Sequence, residues 1–176
     1  RFTGSRERIG AVKVYLNEFN IRMESSAYLP IATGLLRAYA ETCPRIKDTC
    51  EFQPFLYHVD TPENVLSNYS NPDVAAFSVS MWNEQLVLHV AEEIKRRWPQ
   101  CLIIMGGPQV PHKPEEYFAR HPFLDISVKS EGEEAFSQIL LRSMEGRDFS
   151  GIPNVSWRDG EACVVNTLKH VQPKDL

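Results

Sequence analysis

Three stretches of the 176-residue chain carry residue types that could do chemistry. The first is Ser78-Val79-Ser80-Met81-Trp82-Asn83, which closes an apolar run. A serine hydroxyl there can donate one hydrogen bond to a ring nitrogen of a ligand. It can equally be a satisfied core hydroxyl or a helix cap. Asn83 has the same two options, ligand contact or capping of the helix that follows. The second stretch is Gly106-Gly107-Pro108-Gln109-Val110. Paired glycines either make a tight turn or leave the backbone bare for a ligand to approach. The third is the polar segment 17–28, longer than such a connection needs, which favours a binding role.

Other chemistries find no pattern. Cysteines 43, 50, 101 and 163 match neither a zinc ribbon nor a disulfide ladder, and Cys50 and Cys101 lie in or beside apolar runs where cysteine acts as a small hydrophobe. A reduced, cytoplasmic protein is expected. Histidines 58, 89, 112 and 121 have no second ligand at metal spacing. There is no Gly-x-Gly-x-x-Gly turn for a nicotinamide cofactor and no nucleophile elbow for a hydrolase. Ser25-Ser26 lacks the glycine of a flavin phosphate loop. A phosphate-receiving domain needs an Asp at the end of its third strand, whereas Asp73 stands at the start; only Lys129 fits that pattern.

Composition narrows the class further. Hydrophobic residues make up 43% and charged residues 24%, with a net charge of −4. These values suit a globular domain, with no pull toward a nucleic acid backbone. No apolar run approaches the ~20 residues of a membrane helix, and no secretory segment opens the chain. Neither nucleic acid nor membrane is expected as a partner.

The elements that must position these stretches alternate in period. Strands are predicted at 11–16, 50–57, 74–79, 101–105 and 124–128. Helices are predicted at 30–41 with Ile31, Leu35, Ala38 and Tyr39 on one face, from Thr61 to near Tyr69, at 83–98, 114–120 and 131–144. Residues 155–165 read as a β-hairpin around Asp159-Gly160. The expectation is an α/β fold: a doubly wound, five-stranded parallel sheet, Rossmann-like or flavodoxin-like, in strand order 2-1-3-4-5. A ligand then sits at the carboxyl ends of strands 1, 3 and 4, where the three stretches fall. By segment, 1–8 reads as a linker, 9–150 as the ligand-binding domain, and 151–176 as the hairpin and a linker onward.

Several blocks in order carry a resemblance: Leu29-Pro30-Ile31-Ala32-Thr33-Gly34-Leu35-Leu36, Pro72 through Asn83, Ile103 through Pro111, His121-Pro122-Phe123-Leu124-Asp125, Ser130-Glu131-Gly132-Glu133-Glu134-Ala135-Phe136, and Gly151-Ile152-Pro153-Asn154-Val155. Over roughly residues 11–168 the chain resembles the N-terminal cobalamin (vitamin B12)-binding domain of cobalamin-dependent radical SAM enzymes. The resemblance implies bound cobalamin with its nucleotide tail along the sheet. Ser78 would match the serine near the dimethylbenzimidazole, and Gly106 and Gly107 the glycines beside the tail. Ser80, Met81, Trp82, Asn83, Pro108, Gln109 and Val110 join them as candidates. Many such domains place a cobalt-ligating His in an Asp-x-His-x-x-Gly motif after strand 1. Here that segment has no His, which implies base-off cobalamin without a protein histidine ligand. The radical SAM motif Cys-x3-Cys-x2-Cys is absent as well. S-adenosylmethionine and a 4Fe-4S cluster would therefore belong to a core domain of the same polypeptide, for methyl transfer or a radical rearrangement, and this chain alone would not turn over. The alternative is a cofactor-free docking domain with Trp82, Tyr117 and Phe123 as interface anchors.

Overall fold

The computed structural model describes residues 10–23 and 26–168. The expected linker at 1–8 and the last residues, 169–176, lie outside them. The elements run β1 (Val12–Asn20), β2 (Arg22–Met23), β3 (Ser26–Ala27), α1 (Ile31–Ala40), α2 (Pro44–Thr49), β4 (Cys50–Phe52), β5 (Leu56–His58), α3 (Pro62–Leu66), β6 (Val74–Ser78), α4 (Glu84–Arg97), β7 (Leu102–Gly106), α5 (Pro114–Arg120), β8 (Ile126–Val128), α6 (Glu133–Glu145), β9 (Val155–Asp159) and β10 (Ala162–Val165).

The main sheet is ordered β10-β9-β8-β7-β6-β1-β4, with β5 also paired to β1. From β4 to β8 every pairing is parallel. This is the expected order 2-1-3-4-5, with the second strand divided into β4 and β5 around Pro54, whose missing N–H cannot join a ladder. The hairpin continues the sheet: β9 pairs antiparallel with β8, and β10 with β9. Asp159 pairs with Ala162, so the two-residue loop is Gly160-Glu161, with Gly160 at φ +59°.

Side chains alternate across the sheet with period two. Tyr15, Phe19, Ala75, Phe77, Ile103 and Met105 pack with α3, α4 and α5. Val14, Leu16, Val74, Ala76, Leu102, Ile104 and Ile126 pack with α1, α2 and α6. Because β6 and β7 are covered on both faces, their sequences are nearly unbroken apolar runs. The longest helix, α4, buries Val87, Val90, Ala91 and Ile94, begins with Glu84 and ends with Lys95, Arg96 and Arg97, charges that suit the helix dipole. Thr61 caps α3 by accepting the Asn64 N–H at 3.3 Å.

Two local expectations are corrected, and one helix turns its apolar stripe outward. Residues 44–49 form α2, a helix the periodicity did not reveal. Strand 1 runs on to Asn20 because β5 pairs beside its second half, and the expected open loop becomes the β2–β3 ribbon. The stripe of α1 is not buried: Ile31, Leu35 and Tyr39 are 67%, 52% and 46% exposed, whereas Thr33 and Ala40 face inward. All four cysteines are free thiols; burial pushes Cys101 up to about 12 and Cys50 up to about 11, as expected for apolar surroundings.

Candidate cofactor cleft

The carboxyl edge of the sheet opens on one face into a cleft of about 450 Å³ between α1 and α6. Its floor is Ala76 and Ser78 from β6 and Ile104 and Gly106 from β7. Ile31, Leu35 and Leu36 of α1 form one wall, and Val128, Ser130, Gly132 and Phe136 the other. A second hollow of about 460 Å³ adjoins it over the end of β1, lined by Glu18, Asn20, Ile21, Tyr28, Leu29, Ile31 and Trp82. Glu18 and Ile31 border both hollows. The rim is apolar and open: Leu29 is 70% exposed, Ile31 67% and Trp82 52%.

Small residues make the space. A Cβ on Gly132 would meet Leu36 Cδ2 at 3.3 Å, so glycine lets the two walls approach each other at this point without a clash. A Cβ on Gly106 would find only ordinary contacts, the nearest being the Val128 carbonyl at 3.7 Å. Gly107 differs. Its φ is +103°, and a Cβ there would lie 2.6 Å from the carbonyl oxygen of Val79 and 2.9 Å from its nitrogen. Its bareness serves the protein's own chain, because the β7–α5 turn closes against Val79: the Val79 N–H donates to Gly106 O at 2.7 Å and the Gln109 N–H to Val79 O at 3.2 Å. The paired glycines thus divide the two roles open to them, Gly107 making the turn and Gly106 lining the cleft.

Glu18 holds α1 in place. Its Oε2 accepts the Thr33 N–H at 2.9 Å and the Thr33 hydroxyl at 3.0 Å, a carboxylate at the positive end of a helix. Asn83 precedes α4, but its side chain does not cap it. Buried, it accepts the Ser80 N–H at 2.8 Å and donates to Phe19 O at 3.1 Å and Ser78 O at 3.0 Å.

The sequence candidates therefore separate. Ser78, Gly106 and Gly107 line the cleft, and Trp82 lines the adjoining hollow beside exposed Met81. Ser80, Asn83 and Val110 are buried, Gln109 is half-buried, and Pro108 is exposed. Of the three proposed interface anchors, Tyr117 and Phe123 are core residues and only Trp82 is exposed. Sequence reading passed over Glu18, Ala76, Ile104, Leu36 and Gly132. Ala76 and Ile104 had a signal, since they are the positions of β6 and β7 that period two sends to the α1–α6 face. Glu18 had none, because its partner Thr33 is fifteen residues away.

Histidines 58, 89, 112 and 121 line neither hollow. Among the described residues no group of three or more His, Cys, Asp or Glu could hold a metal ion, and no helix is long and apolar enough to cross a membrane. The cleft suits a large organic group held by shape and apolar contact with a few hydrogen bonds, and cobalamin has that character.

Comparison with known proteins agrees. The B12 binding domain family matches residues 57–140. The chain is 39% identical over 153 residues to 2-(S-pantetheinyl)-carbapenam-3-carboxylate methyltransferase of Streptantibioticus cattleyicolor, covering 86% of this chain and 22% of that protein. It is 37% identical over 157 residues to the cobalamin-dependent radical SAM methyltransferase TokK of Streptomyces tokunonensis, covering 87% of this chain and 22% of TokK. The chain thus spans about a fifth of the length of these curated relatives. Its fold matches that of the cobalamin-dependent S-adenosylmethionine radical enzyme OxsB, solved with aqua-cobalamin and S-adenosylmethionine bound, at a TM-score of 0.70 and 19% identity over 92% of this chain and 23% of that one. With the doubly wound sheet and the glycine-floored cleft at its carboxyl edge, these matches identify the chain as a B12-binding domain, the cobalamin-binding module of the kind found in cobalamin-dependent radical SAM enzymes.

Proposed function

We propose that this domain holds cobalamin across its two hollows for a methyl transfer carried out by a longer polypeptide. The observation that carries the reading is the continuity of the two spaces: the cleft over Ala76, Ile104 and Gly106 meets the apolar hollow at Glu18 and Ile31. The cleft has the place and lining for the nucleotide tail, with Ser78 as its hydrogen-bonding hydroxyl. The rim of Ile21, Tyr28, Leu29 and Trp82 has the breadth for one face of the corrin. When bound, cobalamin supplies a metal centre able to carry a methyl group; this chain's residues bind and orient it and keep water from its buried side. Methyl transfer, a radical SAM core covering the open rim, the S-adenosylmethionine and 4Fe-4S cluster of that core, and a cytoplasmic setting are parts of the same proposal, supported by the relatives' names and the free thiols.

Seating the nucleotide tail in the cleft draws its base away from the cobalt, and among the described residues no histidine lines either hollow to replace it. The cofactor is held base-off, with no protein histidine beneath the cobalt. Purified protein mixed with hydroxocobalamin should keep a corrin absorption band through desalting. Electron paramagnetic resonance of the reduced cob(II)alamin form should show no superhyperfine splitting from an axial nitrogen. A colourless protein would defeat the cofactor reading and favour the docking alternative. A nitrogen splitting would defeat only the ligation.

A further inference from the structure

Resting on that cofactor reading, we infer that Asn83 is a positioning residue: it fixes the Ser80-Met81-Trp82 loop against the end of β1 so that Trp82 stands at the wall of the hollow without Asn83 touching the ligand. Three observations carry this. First, Asn83 is 2% exposed, and both polar atoms of its amide are used inside the protein, leaving it nothing to offer a ligand. Second, its three bonds join three places. The Oδ1 atom accepts the Ser80 N–H, while Nδ2 donates to Ser78 O at the end of β6 and to Phe19 O near the end of β1. The third bond spans 64 residues of sequence, so the loop is referred to another strand and not merely to its own turn. Third, the residues between the anchors point the other way: Met81 and Trp82 are 77% and 52% exposed, and Trp82 lines the hollow that Glu18 and Asn20 of β1 also line. An exposed loop held at its base by a buried amide is pre-ordered before any ligand arrives, which lowers the entropy lost on binding.

Asn83→Asp separates the role from bulk stability. It keeps the shape and the acceptor for the Ser80 N–H, but puts a carboxylate oxygen against two carbonyl oxygens. Asn166→Ala serves as the control. Asn166 also donates twice to carbonyls, those of Phe149 and Ile152 at 2.8 and 3.0 Å, and it lines neither hollow. Affinity for hydroxocobalamin is measured by absorbance titration, with thermal melts alongside. Asn83→Asp should bind at least tenfold more weakly than wild type, and Asn166→Ala at the same melting temperature should bind as wild type. In a Trp82→Ala background the Asn83→Asp loss should shrink to less than threefold, since two residues acting through one contact are not additive. In the apo proteins, exchange of the amides of residues 83 and 84, which both donate to Ser80 O at 3.1 Å and so close the loop, should quicken in Asn83→Asp and stay unchanged in Asn166→Ala. Equal losses in the two variants, an additive cycle or unchanged exchange would each overturn the positioning role. A wild-type chain that binds no hydroxocobalamin would overturn it too, in a separate arm that marks the cofactor reading as the point of failure.

Discussion

On one face of the sheet Tyr15, Phe19, Tyr69, Phe77, Tyr117, Phe118 and Phe123 fill the space beneath α3, α4 and α5. On the other, the strands contribute mainly Val, Ala, Leu and Ile beneath α1, α2 and α6, and the carboxyl end stays open between α1 and α6. The same strands supply both faces, so the difference lies in alternate residues: Ala75-Phe77 and Ile103-Met105 toward one side, Ala76 and Ile104 toward the other. Large rings close a face, whereas an alanine, two glycines and a helix pinned at its start by Glu18 leave one open. Both faces are buried core, but only the aliphatic one leaves its carboxyl end open, where the proposed ligand would sit. Changes on each should register in different measurements.

The largest expected effect sharpens that division at its boundary. Gly107 borders the cleft, yet a side chain there strikes Val79 and not the space for a ligand. Gly107→Val should cost about 3 kcal/mol, from strain at φ +103° and the backbone collision. For a chain of this size that is roughly 6–12 °C in melting temperature. A variant that melts with wild type while losing cobalamin would place Gly107 among the ligand contacts instead.

Next is a change on the closed face. Tyr69 stacks on Tyr15 at 4.3 Å, and its hydroxyl donates to Asn17 Oδ1 at 2.7 Å in a fully buried site. Burial holds the Tyr69 hydroxyl well above its usual pKa, so it is a permanent donor. Tyr69→Phe keeps the stack and strands the Asn17 oxygen, at a cost of about 2 kcal/mol. Chemical denaturation should show that loss while the affinity of the folded protein for hydroxocobalamin stays unchanged. A matching fall in affinity would mean the two faces are coupled through β1.

Gly106→Ala is the converse. Its Cβ meets nothing closer than 3.7 Å in the protein and enters the floor of the cleft. Melting should move little, while cobalamin binding should weaken about tenfold, or 1.4 kcal/mol. Wild-type affinity would remove the nucleotide tail from the floor of β7.

These two adjacent glycines also mark what the sequence could and could not tell. Apolar runs alternating with helical periods gave the strands, and their number suited the order 2-1-3-4-5, because these patterns are carried by short stretches of chain. Gly-Gly announced a special backbone, but whether the obstacle to a Cβ is ligand or Val79 depends on a contact 28 residues away in the chain. Asn83 was ambiguous for the same reason, since the carbonyl of Phe19 does not appear in any local pattern. The stripe of α1 teaches something different. Its period was read correctly, but the face points outward, where Ile31 and Leu35 line the cleft instead of the domain's own core. The helix α2 was missed because six residues are too few to establish a period.

The smallest effect belongs to His121, on the closed face between Tyr117 and Phe123, with ring centroids 4.6 and 5.5 Å away. Partial burial, and then the Arg120 charge, lower its pKa below the ordinary value near 6.5. Its folded pKa is depressed, so the unfolded chain binds a proton before the folded one does. The contribution is intact above about 6.5 and is lost as the pH falls through the folded value. Glu84 and Glu92 oppose the shift, and solvent reaches much of the ring, so screening keeps the effect small. Between pH 7.5 and 5.0, wild type should lose about 1 °C more in melting temperature than His121→Gln. Both proteins should release bound cobalamin to the same extent over that range, because the group that titrates lies on the face away from the cleft. If His121→Gln instead changes the pH dependence of binding, the closed face reaches the ligand after all.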